Sequence, residues 1–112
     1  MLIGFAPIIA DEPRVLILGS MPSVTSLEKQ EYYGYRHNRF WKIMSACFDM
    51  PIETYAQKQK IICSHHLILW DVIHACEREG SLDSSIRKEV VNPIDGLAQT
   101  YPTLHTVICN GK

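Results

Sequence analysis

Four apolar residues in a row, Val15-Leu16-Ile17-Leu18, run straight into Gly19-Ser20-Met21-Pro22-Ser23. An unbroken run of that kind predicts a strand buried on both faces, as in a parallel sheet. Two more runs share the character, Leu67-Ile68-Leu69-Trp70 and Thr106-Val107-Ile108-Cys109. Between the first two, Phe40, Ile43, Met44 and Cys47 recur at helical spacing over 40–48, and Asp49-Met50-Pro51 ends that helix. A second helix is expected over about 54–65, and Asn92-Pro93 opens a third, to about 101, with proline at the first helical position. Residues 26–31 make a helical turn or two. Residues 76–85 are polar and read as a loop. Residues 1–12 form an apolar lead-in that packs on the sheet edge and ends in a turn at Asp11-Glu12-Pro13. Strand, helices, strand, helix, strand is an α/β pattern with right-handed crossovers.

A chain of 112 residues provides one small domain, 1–112, and its 46% hydrophobic content allows a packed core. The net charge of −1 and pI near 6.5 argue against tight non-specific binding to nucleic acid, which rests on phosphate neutralisation. They leave room for an enzyme whose contact is confined to a few phosphates and one extruded base. One local basic cluster exists: Arg36, His37, Arg39 and Lys42. The four cysteines, Cys47, Cys63, Cys76 and Cys109, show no CxxC spacing and read as free thiols of a cytoplasmic protein. Cys63, His65 and His66, with His74 and Cys76, are zinc-capable residue types. A buried strand separates the two groups, so no metal is expected. No secretory leader is visible, and no apolar run reaches membrane-spanning length.

The chemistry-bearing residues fall in two pieces. The first is Gly19-Ser20-Met21-Pro22-Ser23, and the second is Tyr32-Tyr33-Gly34-Tyr35-Arg36-His37-Asn38-Arg39-Phe40-Trp41. Together, in this order, they resemble the uracil-DNA glycosylase superfamily, and most closely its hypoxanthine (deoxyinosine) branch. The run from Asn38 to Lys42 is also similar to the mismatch-specific uracil glycosylases. One departure stands out: the His-Pro that precedes the asparagine in that branch is Tyr35-Arg36 here, so a loop that proline ordinarily stiffens is freer. The resemblance implies a three-layer α/β/α domain with a central parallel sheet, four strands in the family and three visible here, with 15–18 in the middle. It also implies that a helix, a strand and a Ser-Pro loop should follow the third strand, so the domain reads as C-terminally incomplete. The third strand is then an exposed apolar edge, open to self-association. Some members of the superfamily carry an iron–sulfur cluster on four cysteines; these spacings carry no such signature, and no cofactor is expected.

The implied reaction is hydrolysis of the N-glycosidic bond of a deaminated base in DNA, hypoxanthine first. Uracil or a G·U mismatch is the alternative target, and a non-catalytic fragment the alternative outside enzymes. Neither motif holds a lysine for Schiff-base chemistry, so the reaction is monofunctional. Gly19, Ser20, Met21, Pro22 and Ser23 can bring backbone N–H groups against the departing base, as an oxyanion hole does. The plainer account is a strand-to-helix turn capped by Ser23 or Ser26. Asn38 matches the catalytic asparagine of the hypoxanthine branch: its amide oxygen can aim a water at the sugar carbon. Capping the helix at Phe40 is its alternative role. In the mismatch-specific branch the catalytic asparagine falls where Met21 stands. Tyr33 aligns with the aromatic that stacks on the flipped base, a contact worth about 1–3 kcal/mol. Phe40 and Trp41 read as core anchors. Asp71, after the second strand, can accept from a ring N–H of the base; capping the next turn or pairing with an arginine are its alternative roles. His37 is the competing general base. Asn110 and Gly111 are candidates for touching the pocket, a strand-end turn being the plainer account.

Overall fold

The computed structural model describes residues 1–110. Two short strands, Leu2–Ile3 (β1) and Ile8–Ile9 (β2), precede Val15–Gly19 (β3). Helices Val24–Lys29 (α1), Phe40–Phe48 (α2) and Tyr55–Ser64 (α3) lead to Leu67–Asp71 (β4) and Ile73–Glu77 (β5). A 3-10 turn, Asp83–Ser85, comes before Arg87–Val91 (β6), Ile94–Thr100 (α4) and Thr106–Cys109 (β7).

The three apolar runs are parallel neighbours in the order β4-β3-β7, as expected. The central sheet is mixed rather than wholly parallel, because β2 adds antiparallel to the outer edge of β4. That edge contact is the packing expected of the lead-in. Side chains alternate along a strand. On β3, Ile17 faces a core with Tyr32, Trp41, Met44, Ile61, Ile62, Leu67 and Leu69, roofed by α2 and α3. Leu16 faces the opposite way, onto Ile68, Trp70 and Leu97 beneath α4. The result is the three-layer arrangement, and Gly19 and Asp71 continue the Ile17 series onto the α2/α3 face.

Local chemistry sets the helix boundaries. Thr54 and Gln57 form a capping box at the start of α3: Thr54 Oγ1 accepts from the Gln57 N–H at 3.2 Å, and Gln57 Oε1 accepts from the Thr54 N–H at 3.1 Å. α2 ends at Asp49 in the left-handed region, one residue before Met50-Pro51. The third helix is one residue shorter at its start than expected: Pro93 is the N-cap, and Ile94 the first helical residue.

Residues 73–91 depart most from expectation. The stretch expected as a loop from residue 76 begins inside β5, which pairs antiparallel with β1 and with β6 to make a second, three-stranded sheet. Met21, Ile73 and Cys76 form the small core that joins this sheet to the first. Among the described residues, no helix is long and apolar enough to cross a membrane.

Candidate active site

β3 and β4 end in register, Gly19 opposite Asp71. Paired residues of neighbouring parallel strands direct their side chains to the same face. Gly19 is what makes the pairing workable: a β-carbon there would collide with Asp71 Oδ1 and stand 2.9 Å from Tyr33 Oη. Past the strand, the chain stays zipped to its neighbour, since Val72 N–H donates to Gly19 O at 2.8 Å and Ile73 N–H to Ser20 O at 3.0 Å. Ser23 then caps α1, its Oγ accepting from the Ser26 N–H at 3.1 Å.

The second motif is pinned from below. Trp41 Nε1 donates to Tyr32 O at 2.7 Å, Tyr32 Oη donates to Ala6 O at 2.9 Å, and Gly34 N–H donates to Ser26 Oγ at 2.9 Å. Tyr33, between these anchors, has φ of 51°, a left-handed conformation that costs a non-glycine residue about 1–2 kcal/mol. That conformation brings the Tyr33 hydroxyl over Gly19, where it accepts from Asn110 Nδ2 at 2.9 Å, with its ring stacked on Phe40 at 4.1 Å.

The two motifs meet. A cavity of about 480 Å³ opens at the carboxyl ends of β3 and β4, a size that holds a small organic ligand. Its wall includes Gly19, Ser20, Met21, Pro22, Ser23, Tyr33, Asn38, Asp71 and Asn110. Met21 contributes there while its side chain is buried against Ile73 and Cys76. Asn38 is exposed at the rim, and its Oδ1 accepts from the Phe40 N–H at 2.8 Å. The formal N-cap of α2 is Arg39, so Asn38 serves the helix from one position earlier. An amide oxygen has two lone pairs, and this bond uses one.

His37 lies outside the cavity wall, exposed and edge-on to Tyr35 at 5.3 Å. Of the basic cluster, Arg39 alone reaches the wall. Gly111 lies outside the described residues.

Asp71 is 4% exposed, and among the described residues its Oδ2 is buried without a hydrogen-bond partner. Among the described residues no basic side chain stands within ion-pair distance of it. Burial therefore raises its carboxyl to about 7, and the Asp83 carboxylate adds to the rise. Burial likewise pushes the Tyr33 phenol up to about 12, against the hydrogen bond from Asn110, with Asp71 adding to the rise. The Tyr32 phenol is raised for the same first reason.

Sequence reasoning missed parts of this wall, Phe40, Ser81 and Asp83 among them. Phe40, expected as a core anchor only, also lines the cavity. Ser81 and Asp83 arrive from the segment between β5 and β6. That segment is tied to the first motif and the start of α1 by three bonds: Arg78 Nη2 to Pro22 O at 2.7 Å, Val24 N–H to Ser81 Oγ at 2.9 Å, and Ser20 Oγ to Asp83 Oδ2 at 2.9 Å. No local pattern signals an attachment between residues about sixty positions apart. Among the described residues, no three His, Cys, Asp or Glu side chains gather to hold a metal ion.

No protein-family model matches the chain. It is 37% identical over 111 residues to a hypoxanthine DNA glycosylase of Methanosarcina acetivorans, covering 97% of this chain and 70% of that protein. It is 35% identical, with the same coverage, to a hypoxanthine DNA glycosylase of Methanosarcina barkeri. A solution NMR structure of a Methanosarcina acetivorans protein assigned as a uracil DNA glycosylase superposes with a TM-score of 0.85 at 37% identity, over 97% of this chain and 69% of that one. Sequence, fold and the two motifs agree, and the chain belongs to the hypoxanthine DNA glycosylase family.

Proposed function

We propose that the protein is a monofunctional DNA glycosylase that hydrolyses the N-glycosidic bond of hypoxanthine in DNA. The observation that carries this reading is the convergence of two separate motifs, through residues 19–23 and through Tyr33 and Asn38, on one cavity at the ends of β3 and β4. The base enters the cavity out of its stack, against the Tyr33–Phe40 pair, with Asp71 meeting it from the sheet. The backbone of Gly19 to Ser23 carries part of the charge that builds on the departing base. The transition state is sugar-cation-like, by analogy with other glycosides. Asn38 holds the attacking water with the second lone pair of its amide oxygen. Its bond to Phe40 fixes the amide in place for that task, so capping and catalysis cooperate.

Uracil is the rival target, supported by the assignment of the solved relative. Single-turnover assays on duplexes carrying hypoxanthine, uracil or normal bases separate the readings. Release of hypoxanthine alone supports the first, uracil release the second, and no release from any duplex removes the catalytic reading. Within the first reading, Asn38→Ala should slow excision by roughly 10²–10³-fold, the range for losing one fixed polar partner of a transition state, while affinity for the damaged duplex stays the same. Unchanged turnover would take the water from Asn38. The free thiols fit a reducing, cytoplasmic setting. The outer edge of β7 is the surface through which two copies of the chain would associate.

A further inference from the structure

We propose that Asp71, as a neutral carboxylic acid, is the proton donor to the departing purine. This rests on the glycosylase reading above and gives Asp71 a role beyond contact with the base.

The geometry argues for the acid over its conjugate base. Asp71 stands at the floor of the cavity, in register with a residue that has no side chain to cover it. It is nine-tenths buried and more, and among the described residues one of its oxygens has no partner. The groups that face it come from four elements. The end of β3 brings Gly19 and Ser20, neither of which titrates. The second motif brings the Tyr32 and Tyr33 phenols, both held neutral by burial. The segment after β5 brings Asp83, a second acid, and β7 ends in the Asn110 amide. Arg39 reaches the cavity wall but makes no ion pair with Asp71. An ionised Asp71 would thus sit dry, unpaired and beside another carboxylate. It would also repel the negative charge that a leaving base acquires. A neutral carboxyl has neither fault, and it has a proton to give.

The C1′–N9 bond breaks and its electron pair passes to the purine. The Asp71 O–H proton moves to an acceptor atom of that ring, so the base departs neutral. A water oxygen bonds to C1′ and gives up one proton, which restores the Asp71 acid directly or through solvent. The substrate class is a purine with a ring nitrogen or carbonyl oxygen directed at the sheet.

The test is single-turnover release of hypoxanthine by the full chain across pH 5.5–9, for wild type and Asp71→Asn. A parallel series uses a substrate purine methylated at N7, whose ring is already cationic and which leaves as a neutral base without receiving a proton. Wild type should lose rate on hypoxanthine as pH rises through about 7. Asp71→Asn should be slower by roughly 10²–10⁴-fold at low pH, the usual worth of a general acid, and flat with pH. On the methylated purine the Asp71→Asn deficit should be smaller than on hypoxanthine by roughly tenfold or more, because only the proton and not the contact with the base is dispensable there; circular dichroism shows that the variant is folded. Asp83→Asn should move the wild-type break to lower pH. A wild-type rate that rises with pH would make Asp71 a hydrogen-bond acceptor and overturn the proposal. So would an Asp71→Asn deficit equal on both substrates, or no deficit on either. Failure of the wild type to release hypoxanthine at any pH would instead overturn the function on which the proposal rests.

Discussion

Ile68 and Val107 are both register partners of Leu16, one on each side of β3. The sequence presents them alike, as the second residue of a short apolar run. Ile68 is fully buried, whereas Val107 is 52% exposed. The same contrast recurs one residue on, between Leu69 and Ile108, the two partners of Ile17. β4 has β2 on its outer edge and helices above and below it; β7, among the described residues, has β3 alone. α4 explains part of the difference. Seven residues of helix are about 10 Å long, and Leu97 lands on Leu16, Ile68 and Trp70 rather than on Val107. An apolar run thus specifies that a strand joins the sheet. Whether its faces and outer edge are covered depends on other segments.

Truncating the buried partner should have the largest effect. Ile68→Ala removes fully packed methylene and methyl groups from the floor beneath α4, and should cost in the upper part of about 2–5 kcal/mol in urea denaturation. Val107→Ala, on the same row, should stay within about 0.5 kcal/mol, as surface substitutions do. Equal losses at the two sites would mean that β7 is covered in solution by something outside residues 1–110.

The same distinction governs what could be read in advance. β3, β4, β7 and α2 were legible because their signals are local: an unbroken apolar run for each strand, and period 3.6 over 40–48 for the helix. The α/β class and the order of the three strands followed, the order through the family resemblance. β5 and β6 were not legible. Ala75 and Cys76 become strand because Leu2 and Ile3 lie beside them, more than seventy residues away in sequence. The exposed β6 run, Arg87-Lys88-Glu89-Val90-Val91, has no apolar alternation to mark it. The site divides the same way. Gly19–Ser23, Tyr33, Asn38 and Asp71 follow their strands and motifs into the cavity. Asp83 reaches it through bonds between its segment and residues 20–24, which no neighbouring residue announces.

A second contrast lies at the strand ends. β4 terminates in Asp71, almost wholly buried, and β7 is followed by Asn110, which is exposed. The buried end should make stability depend on pH. The folded state holds the Asp71 proton up to about 7, against 3.8 as the ordinary value. Between those limits the folded state binds more protons than the unfolded one, so stability falls as pH rises and levels off above 7. The difference between those two values sets an upper limit of ~4 kcal/mol on the change. Urea denaturation of the wild type at pH 4.5, 6 and 8 should show the decline, and Asp71→Asn should lack this component of it. At pH 8 the variant escapes the cost of a dry charge but leaves a buried amide short of partners, about 1–3 kcal/mol in the other direction. The slope is therefore the sharper readout. A wild-type slope retained in Asp71→Asn would assign the decline to another group and leave the buried strand end without a proton of its own.

The smallest effect on stability should come from the open edge, and its value lies in a different readout. Val107→Lys puts a charge on an exposed position, so folding stability should move by less than about 0.5 kcal/mol. An edge strand that is apolar and unpaired on one side is a template for another chain, and lysine is the residue that most often blocks such pairing. If two copies associate through β7, light scattering at high protein concentration should show a larger species for wild type and a monomer for Val107→Lys. Because Val107 points to the α4 side of the sheet and the cavity lies on the other, hypoxanthine release should be the same in both proteins at low concentration. A wild type that stays monomeric would remove the self-association. A wild type whose oligomer survives the lysine would place the contact on another surface, and would leave the contrast between Ile68 and Val107 as one of packing alone.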